Sequence, residues 1–98
     1  MMDLAQFKTS LTPDKPPRDL SAALAALWWD AKGDWTRAHE WAQRQEDAAG
    51  AWVHAYLHRK EGDLENARYW YRRAGKAEAT TSLAREWEAI AKALLAGE

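Results

Sequence analysis

Apolar residues recur through most of the chain at the spacing expected of amphipathic helices. The clearest stripe lies near the carboxyl end, with spacings of four, three and four residues, and consists of Leu83, Trp87, Ile90 and Leu94. Similar patterns, separated by turn residues, extend back to Leu20. The pattern predicts five helices, over approximately residues 20–32, 35–45, 50–61, 64–75 and 82–96.

Two Gly-Asp pairs mark helix boundaries inside this pattern, at Gly33-Asp34 and Gly62-Asp63. Glycine commonly ends a helix in the left-handed conformation, and aspartate accepts a hydrogen bond from the first free amides of the next helix. Each pair therefore predicts the tight turn of a helical hairpin. By the same logic we expect Asp19 to cap the first of the five helices, and Thr81 or Ser82 to cap the last.

Residues 1–18 differ from the rest of the chain because three prolines interrupt them. A short helical turn around Asp3–Lys8 would place Leu4 and Phe7 on one side, where they could dock on the body of the protein. The prolines all fall within residues 13–17, where they disfavour helix. The sequence thus predicts a flexible N-terminal arm over residues 1–18 and a single all-α domain over 19–98.

The composition favours helices and limits the chemistry. Alanine and leucine dominate the apolar residues, with Val53 and Ile90 as the sole valine and isoleucine, and alanine and leucine are the better helix formers. The absence of cysteine removes disulfides and thiolate sites. A net charge of −1 argues against non-specific nucleic-acid binding. Without a membrane-spanning run or a signal peptide at the N-terminus, the expected location is cytoplasmic.

An internal repeat appears when the sequence is shifted by 29 residues. The shift superposes both Gly-Asp pairs and also aligns Ala38 with Ala67, Trp41 with Trp70, and Arg44 with Arg73. In each copy, glycine ends one helix, aspartate caps the next, and alanine allows the paired helices to approach closely. The repeat predicts two similar helical hairpins.

The second copy resembles the tetratricopeptide repeat. Ala55, Ala67, Tyr71 and Ala74 match that family's small and aromatic positions around the Gly-Asp turn. In the first copy Ala42 replaces the aromatic residue, and the 29-residue period is shorter than the family's, which is about 34. The resemblance implies a five-helix antiparallel repeat with two hairpins and a C-terminal capping helix. Residues 52–63 and 66–74 are also similar to a group of small uncharacterised bacterial proteins, which implies no function.

The tetratricopeptide resemblance implies a non-enzymatic interaction or scaffolding module. Repeats of this family bind peptides along the inner surface of their first helices, which here carries Trp52, Tyr56, Arg59, Lys60, Ala23, Leu27 and Asp30. The expected partner is a protein, a peptide or a second copy of the chain. A homodimer formed through exposed tryptophans would lengthen the short groove that two hairpins provide.

A second candidate site is a histidine pair. His54 and His58 are four residues apart on one predicted helix, with Glu61 three residues further on. Imidazoles at this spacing chelate transition metals, and the carboxylate can add a third ligand. The alternative function is therefore a small metal- or ligand-binding protein, which could be hydrolytic. Histidines hydrogen-bonded for structural reasons also fit the pattern, and His39 is interpreted as a surface residue.

A third candidate is the exposed Arg-aromatic run, represented by Tyr69, Arg72 and Arg73. Arginine beside aromatic rings can bind a carboxylate, a phosphate or a flipped base, although a solvated face explains the same pattern. Specific binding of single-stranded nucleic acid remains a lesser alternative. No nucleophile with a base and no glycine-rich phosphate loop occurs in the sequence, which argues against an enzyme, and no cofactor is predicted.

Overall fold

A computed structural model of the protein describes residues 2–97, which contain six helices and no strand. The helices are α1 (Leu4–Thr9), α2 (Ala22–Ala31), α3 (Trp35–Gln43), α4 (Ala48–Glu61), α5 (Leu64–Ala74) and α6 (Leu83–Leu95). The prediction of an all-α protein is confirmed. The helix additional to the predicted five is α1, where the sequence indicated only a short helical turn.

The helix boundaries follow local capping chemistry. Both Gly-Asp turns form as predicted: Gly62 adopts the left-handed conformation with a φ of 91°, and the Asp63 side chain caps α5. Ser82, one of the two predicted caps, begins α6 by accepting a hydrogen bond from the Arg85 amide. The prediction for α2 was wrong, because Ser21 caps that helix while Asp19 lies before it with a φ of 65°.

The helices pack as two hairpins closed by α6. Helix α2 packs on α3, α4 packs on α5, and α3 contacts α4, while α6 lies against both α2 and α4. Ala38 and Ala67 are buried within the hairpins, where small side chains permit close approach of the helices. The fully buried large side chains are Trp28, Phe7, Leu27, Leu57, Ile90 and Val53.

The N-terminal segment contributes to this core. Phe7 on α1 is fully buried, and its ring stacks on Trp87 of α6 with 5.7 Å between centroids. The Ser10 carbonyl accepts a 3.3 Å hydrogen bond from the Trp28 indole N–H, and the Leu11 carbonyl accepts one of 2.7 Å from the Lys32 ammonium. These contacts hold residues 4–11 against α2 and α6.

Candidate functional site

The inner face of α2 and α4, expected to bind a peptide, carries an ion pair between buried Asp30 and exposed Lys60. Asp30 accepts hydrogen bonds from the Tyr56 hydroxyl at 2.7 Å and from the Lys60 ammonium at 2.8 Å. Asp30 and Tyr56 are buried, and burial together with the bond to Asp30 raises the pKa of the Tyr56 hydroxyl, so that this group remains a donor. The Tyr56 hydroxyl and the Lys60 ammonium thus both have the Asp30 carboxylate as a hydrogen-bond partner within the chain.

A second buried network joins the same face to α6. Glu86 accepts a 2.8 Å hydrogen bond from the Arg59 guanidinium and another from the Tyr71 hydroxyl, and Arg59 also donates to the Thr81 carbonyl. Burial and the bond to Glu86 raise the pKa of Tyr71. Arg59 is thus paired with α6 and with the segment before it, while 20% of its side-chain surface stays exposed.

The other predicted binding residues lie outside these networks. Trp52 is partly buried beneath the Lys76 ammonium, which lies 4.3 Å from its ring centroid. Tyr69 is exposed on α5, and Arg73 lies 5.7 Å from its ring and donates to its hydroxyl at 3.3 Å. Arg72 is also exposed. Tyr69, Arg72 and Arg73 are thus all accessible, and Tyr69 and Arg73 contact each other.

Three imidazoles converge between α3 and α4. The ring centroids of His54 and His58 are 4.8 Å apart, and His39 lies 4.6 Å from the first and 5.2 Å from the second. One ring nitrogen of each histidine lies within 4.8 Å of those of the other two. The interpretation of His39 as a surface residue was wrong: it is partly buried and faces α4, since the contact between α3 and α4 brings its side of α3 onto the histidine pair.

Aromatic rings hold this histidine cluster (His39, His54 and His58) in place. The Trp70 indole stacks on His54 with 3.8 Å between centroids, and Trp35 stacks on His39 at 5.0 Å. The Trp35 indole N–H donates to the Leu57 carbonyl at 2.9 Å, which fixes that ring against α4. Contacts with residues of α3, α4 and α5 therefore restrict the movement of the three imidazoles, which belong to α3 and α4.

The hydrogen bonds of the cluster are unevenly distributed. His58 Nδ1 lies 2.7 Å from a Glu61 carboxylate oxygen, and the Asn66 amide nitrogen approaches His58 Nε2 at 3.4 Å. Since a carboxylate accepts and an amide N–H donates, His58 carries its proton on Nδ1. Within residues 2–97, the ring nitrogens of His39 and His54 have no hydrogen-bond partner. Two of the three imidazoles thus keep their nitrogen lone pairs uncommitted.

Glu61 occupies a different position from the one expected. Its carboxylate lies close to His58 and Asp63. The side chain that lies close to both His54 and His58 is that of His39. The structure therefore brings together the predicted pair of histidines, places a third histidine beside them, and leaves Glu61 as a hydrogen-bond partner at the edge of the cluster.

Burial keeps two of these histidines neutral. It lowers the pKa of His54 to about 3, with further lowering from the neighbouring His39 and His58, and burial followed by His58 also lowers the pKa of His39. A neutral imidazole presents a lone pair, which is the form that coordinates a metal. At neutral pH His39 and His54 therefore offer nitrogen ligands rather than positive charge.

We expect stability to decrease with acidification between pH 6.5 and about 3, the interval between the ordinary and folded pKa values of His54. In that interval the unfolded chain binds a proton at His54 and the folded protein does not, so the free energy of unfolding falls by up to ~1.4 kcal/mol per pH unit. His39 acts in the same direction. Urea denaturation from pH 7 to 4 measures this slope.

His54→Phe provides the control, because phenylalanine can stack on Trp70 but does not titrate. We expect the variant to show a shallower dependence of stability on pH than the wild type over the same interval. Equal slopes in the two proteins would contradict the assignment of this acid sensitivity to His54.

A polar cleft adjoins the cluster. It has a volume of about 840 Å³ and is bounded by the end of α3, the connection to α4, the first turn of α4, and α5. Its lining includes His54, Trp70 and Arg73, together with Glu46 and Asp47. The Asp47 side chain caps α4 by accepting from the Gly50 amide, a bond that lowers its pKa.

Comparison with known proteins gives no assignment for this arrangement: no family model, curated protein or solved structure matches the chain. No helix within residues 2–97 has the length and apolar character needed to cross a bilayer.

Sequence reasoning missed His39, Asn66 and Trp35 as members of the site. His39 lies four residues after Trp35 on α3 and one after the buried Ala38. That position, next to the buried stripe of α3, was the available signal for its orientation. Asn66 carried no comparable signal, because its contact with His58 depends on how α5 packs against α4.

Proposed function

We propose that this protein binds a divalent transition metal through His39, His54 and His58. The observation that carries the proposal is the convergence of three imidazoles, two of them without any hydrogen-bond partner in the described part of the chain. Three imidazole nitrogens with one open position form a common zinc ligand set, and imidazole also suits copper, iron and nickel.

The ring positions require only a modest adjustment to hold a metal. Tetrahedral zinc with bonds of about 2.0–2.1 Å separates its ligand nitrogens by roughly 3.4 Å, whereas the three nitrogens here lie within 4.8 Å of one another. Rotations of the imidazoles about their side-chain bonds can close this difference. The stacked Trp35 and Trp70 rings limit the directions in which His39 and His54 can turn.

Glu61 supports the site from behind His58. The carboxylate accepts a hydrogen bond from Nδ1–H of His58, with 2.7 Å between nitrogen and oxygen. Nε2 of His58 is then available to a metal, which would replace its 3.4 Å contact with Asn66. Carboxylates in this position orient ligating histidines and increase their basicity. The geometry therefore supports a role for Glu61 as a positioning residue, with His39 as the third ligand.

The proposal predicts how zinc affinity, measured by calorimetry on EDTA-treated protein, responds to substitution. Glu61→Ala should weaken binding about 10- to 100-fold, the usual effect of losing an outer-shell partner. His39→Ala should weaken it more, because a ligand itself is lost. Glu65→Ala, which removes an exposed carboxylate from α5, should leave the affinity unchanged.

The same series separates the two ligand sets. A larger loss in Glu61→Ala than in His39→Ala would make Glu61 the third ligand, as the sequence alone suggested. Wild-type protein that takes up no zinc, nickel, copper or cobalt would refute the metal-binding function. Circular dichroism of each variant confirms that the helices are retained.

We also propose that the two hairpins form a tetratricopeptide-like scaffold that carries the metal site. This interpretation is supported by the packing of α2 on α3 and of α4 on α5, each across a turn with a left-handed glycine and an aspartate cap. Peptide binding along the inner face has less support, since Asp30, Tyr56 and Arg59 are engaged within the chain.

A further inference from the structure

A small ligand could reach a metal on the histidine cluster through the adjoining polar cleft. Of the three imidazoles, His54 is the one that lines the cleft, and it is 4% exposed with no hydrogen-bond partner among residues 2–97. A volume of about 840 Å³ lies in the range of small-molecule sites. A metal bound by three histidines retains an open coordination position. With His54 on the cleft wall, the cleft is where an incoming ligand can approach that position.

Arg73 supplies a cation to the same cleft. Its guanidinium lies 5.4 Å from the Trp70 ring centroid and donates to the Tyr69 hydroxyl. Within the described chain it has no carboxylate partner, whereas Arg59 and Arg68 each pair with a glutamate. Arginine presents five N–H donors in a fork that fits carboxylate and phosphate oxygens. Most of these donors are available to a ligand in the cleft.

The charges around the cleft make anion binding dependent on the metal. Arg73, Glu46 and Asp47 are the charged side chains in the lining, and together they carry one net negative charge at neutral pH. A divalent ion on the neighbouring imidazoles reverses this sign. The metal-free cleft should repel anions that the metal-loaded cleft attracts.

We infer that the metal-loaded protein binds a small organic anion in this cleft, with a carboxylate or phosphate group held by Arg73 and a second polar group directed at the open metal position. This inference rests on the proposed metal-binding function and adds the chemical class of the ligand. The Trp70 ring, which stacks on His54 and lies 5.4 Å from the Arg73 guanidinium, also lines the cleft and would contact the body of the ligand.

Cobalt-loaded protein tests both steps separately. Uptake of Co²⁺, followed by its visible absorption, reports whether the histidine cluster binds a metal. Titration with glutarate and with phosphonoacetate then reports the anion, through a change in the cobalt spectrum and through calorimetry. We expect both anions to bind the cobalt-loaded wild type at least about tenfold more tightly than the metal-free protein.

Arg73→Gln should reduce anion affinity by about tenfold or more while leaving cobalt uptake unchanged. Arg72→Gln is the matched control, because Arg72 is the adjacent arginine but does not line the cleft. Cobalt uptake without anion binding, or equal affinities in the two variants, would overturn the inference and leave the metal site standing. If the wild type takes up no cobalt, the proposed metal-binding function is refuted. The metal-dependent binding of an anion in the cleft is then refuted with it.

Discussion

Replacing Glu86 with alanine is expected to lower the free energy of unfolding by about 3–5 kcal/mol, the usual cost of removing one partner from a buried ion pair. Glu86 is 4% exposed and accepts from both Arg59 and the Tyr71 hydroxyl. Without it, the Tyr71 hydroxyl loses its acceptor and the Arg59 guanidinium keeps the Thr81 carbonyl alone. Urea denaturation followed by circular dichroism at pH 7 measures the loss.

Glu88→Ala is the matched control, two residues further along α6. Glu88 pairs with Lys8 at 3.0 Å, but the two side chains are 42% and 47% exposed. An exposed pair of this kind contributes at most about 1 kcal/mol. If Glu86→Ala and Glu88→Ala cost the same, the buried network does not hold α6 in place.

The Glu86 result also bears on peptide binding. A strongly destabilised Glu86 variant means that α6 is an integral part of the fold, so Arg59 stays paired with α6 in the native state. A small effect, together with rapid amide hydrogen exchange throughout α6, would mean that this helix detaches readily. Arg59, which pairs with Glu86, would then be available to a peptide.

Replacing Phe7 with alanine is expected to cost about 3–5 kcal/mol, the range for truncating a buried aromatic side chain. Phe7 has no exposed surface and stacks on Trp87, so its removal leaves a cavity between α1 and α6. Thermal and urea unfolding measure the loss. The fluorescence of Trp87, which lies in that contact, should change even before unfolding.

Leu4→Ala controls for truncation on the same short helix. Leu4 is only partly buried, so its replacement should cost clearly less than that of Phe7. A cost for Phe7→Ala below about 1 kcal/mol would show that residues 1–18 behave as the flexible arm that their prolines indicate, rather than as part of the core.

The sequence by itself determined the five longer helices and the two Gly-Asp turns. Helix formation and capping depend on residues within three or four positions of one another, so the apolar period, the Gly33-Asp34 and Gly62-Asp63 pairs, and Ser82 carried the necessary information. The proximity of His54 and His58 followed from the same rule, because residues four apart lie on one helical face. These features required no knowledge of the tertiary fold.

Only the tertiary structure decided which residues of other helices each helix face contacts. His39 lies 15 positions before His54 in the chain, and their rings come within 4.6 Å because α3 packs on α4. Glu86 reaches Arg59 from α6 across 27 positions and joins α6 to the inner face of α4. A local pattern indicates which side of a helix is buried, whereas the partner depends on packing between distant segments, and that packing determines which polar groups are satisfied and which remain free to bind a ligand.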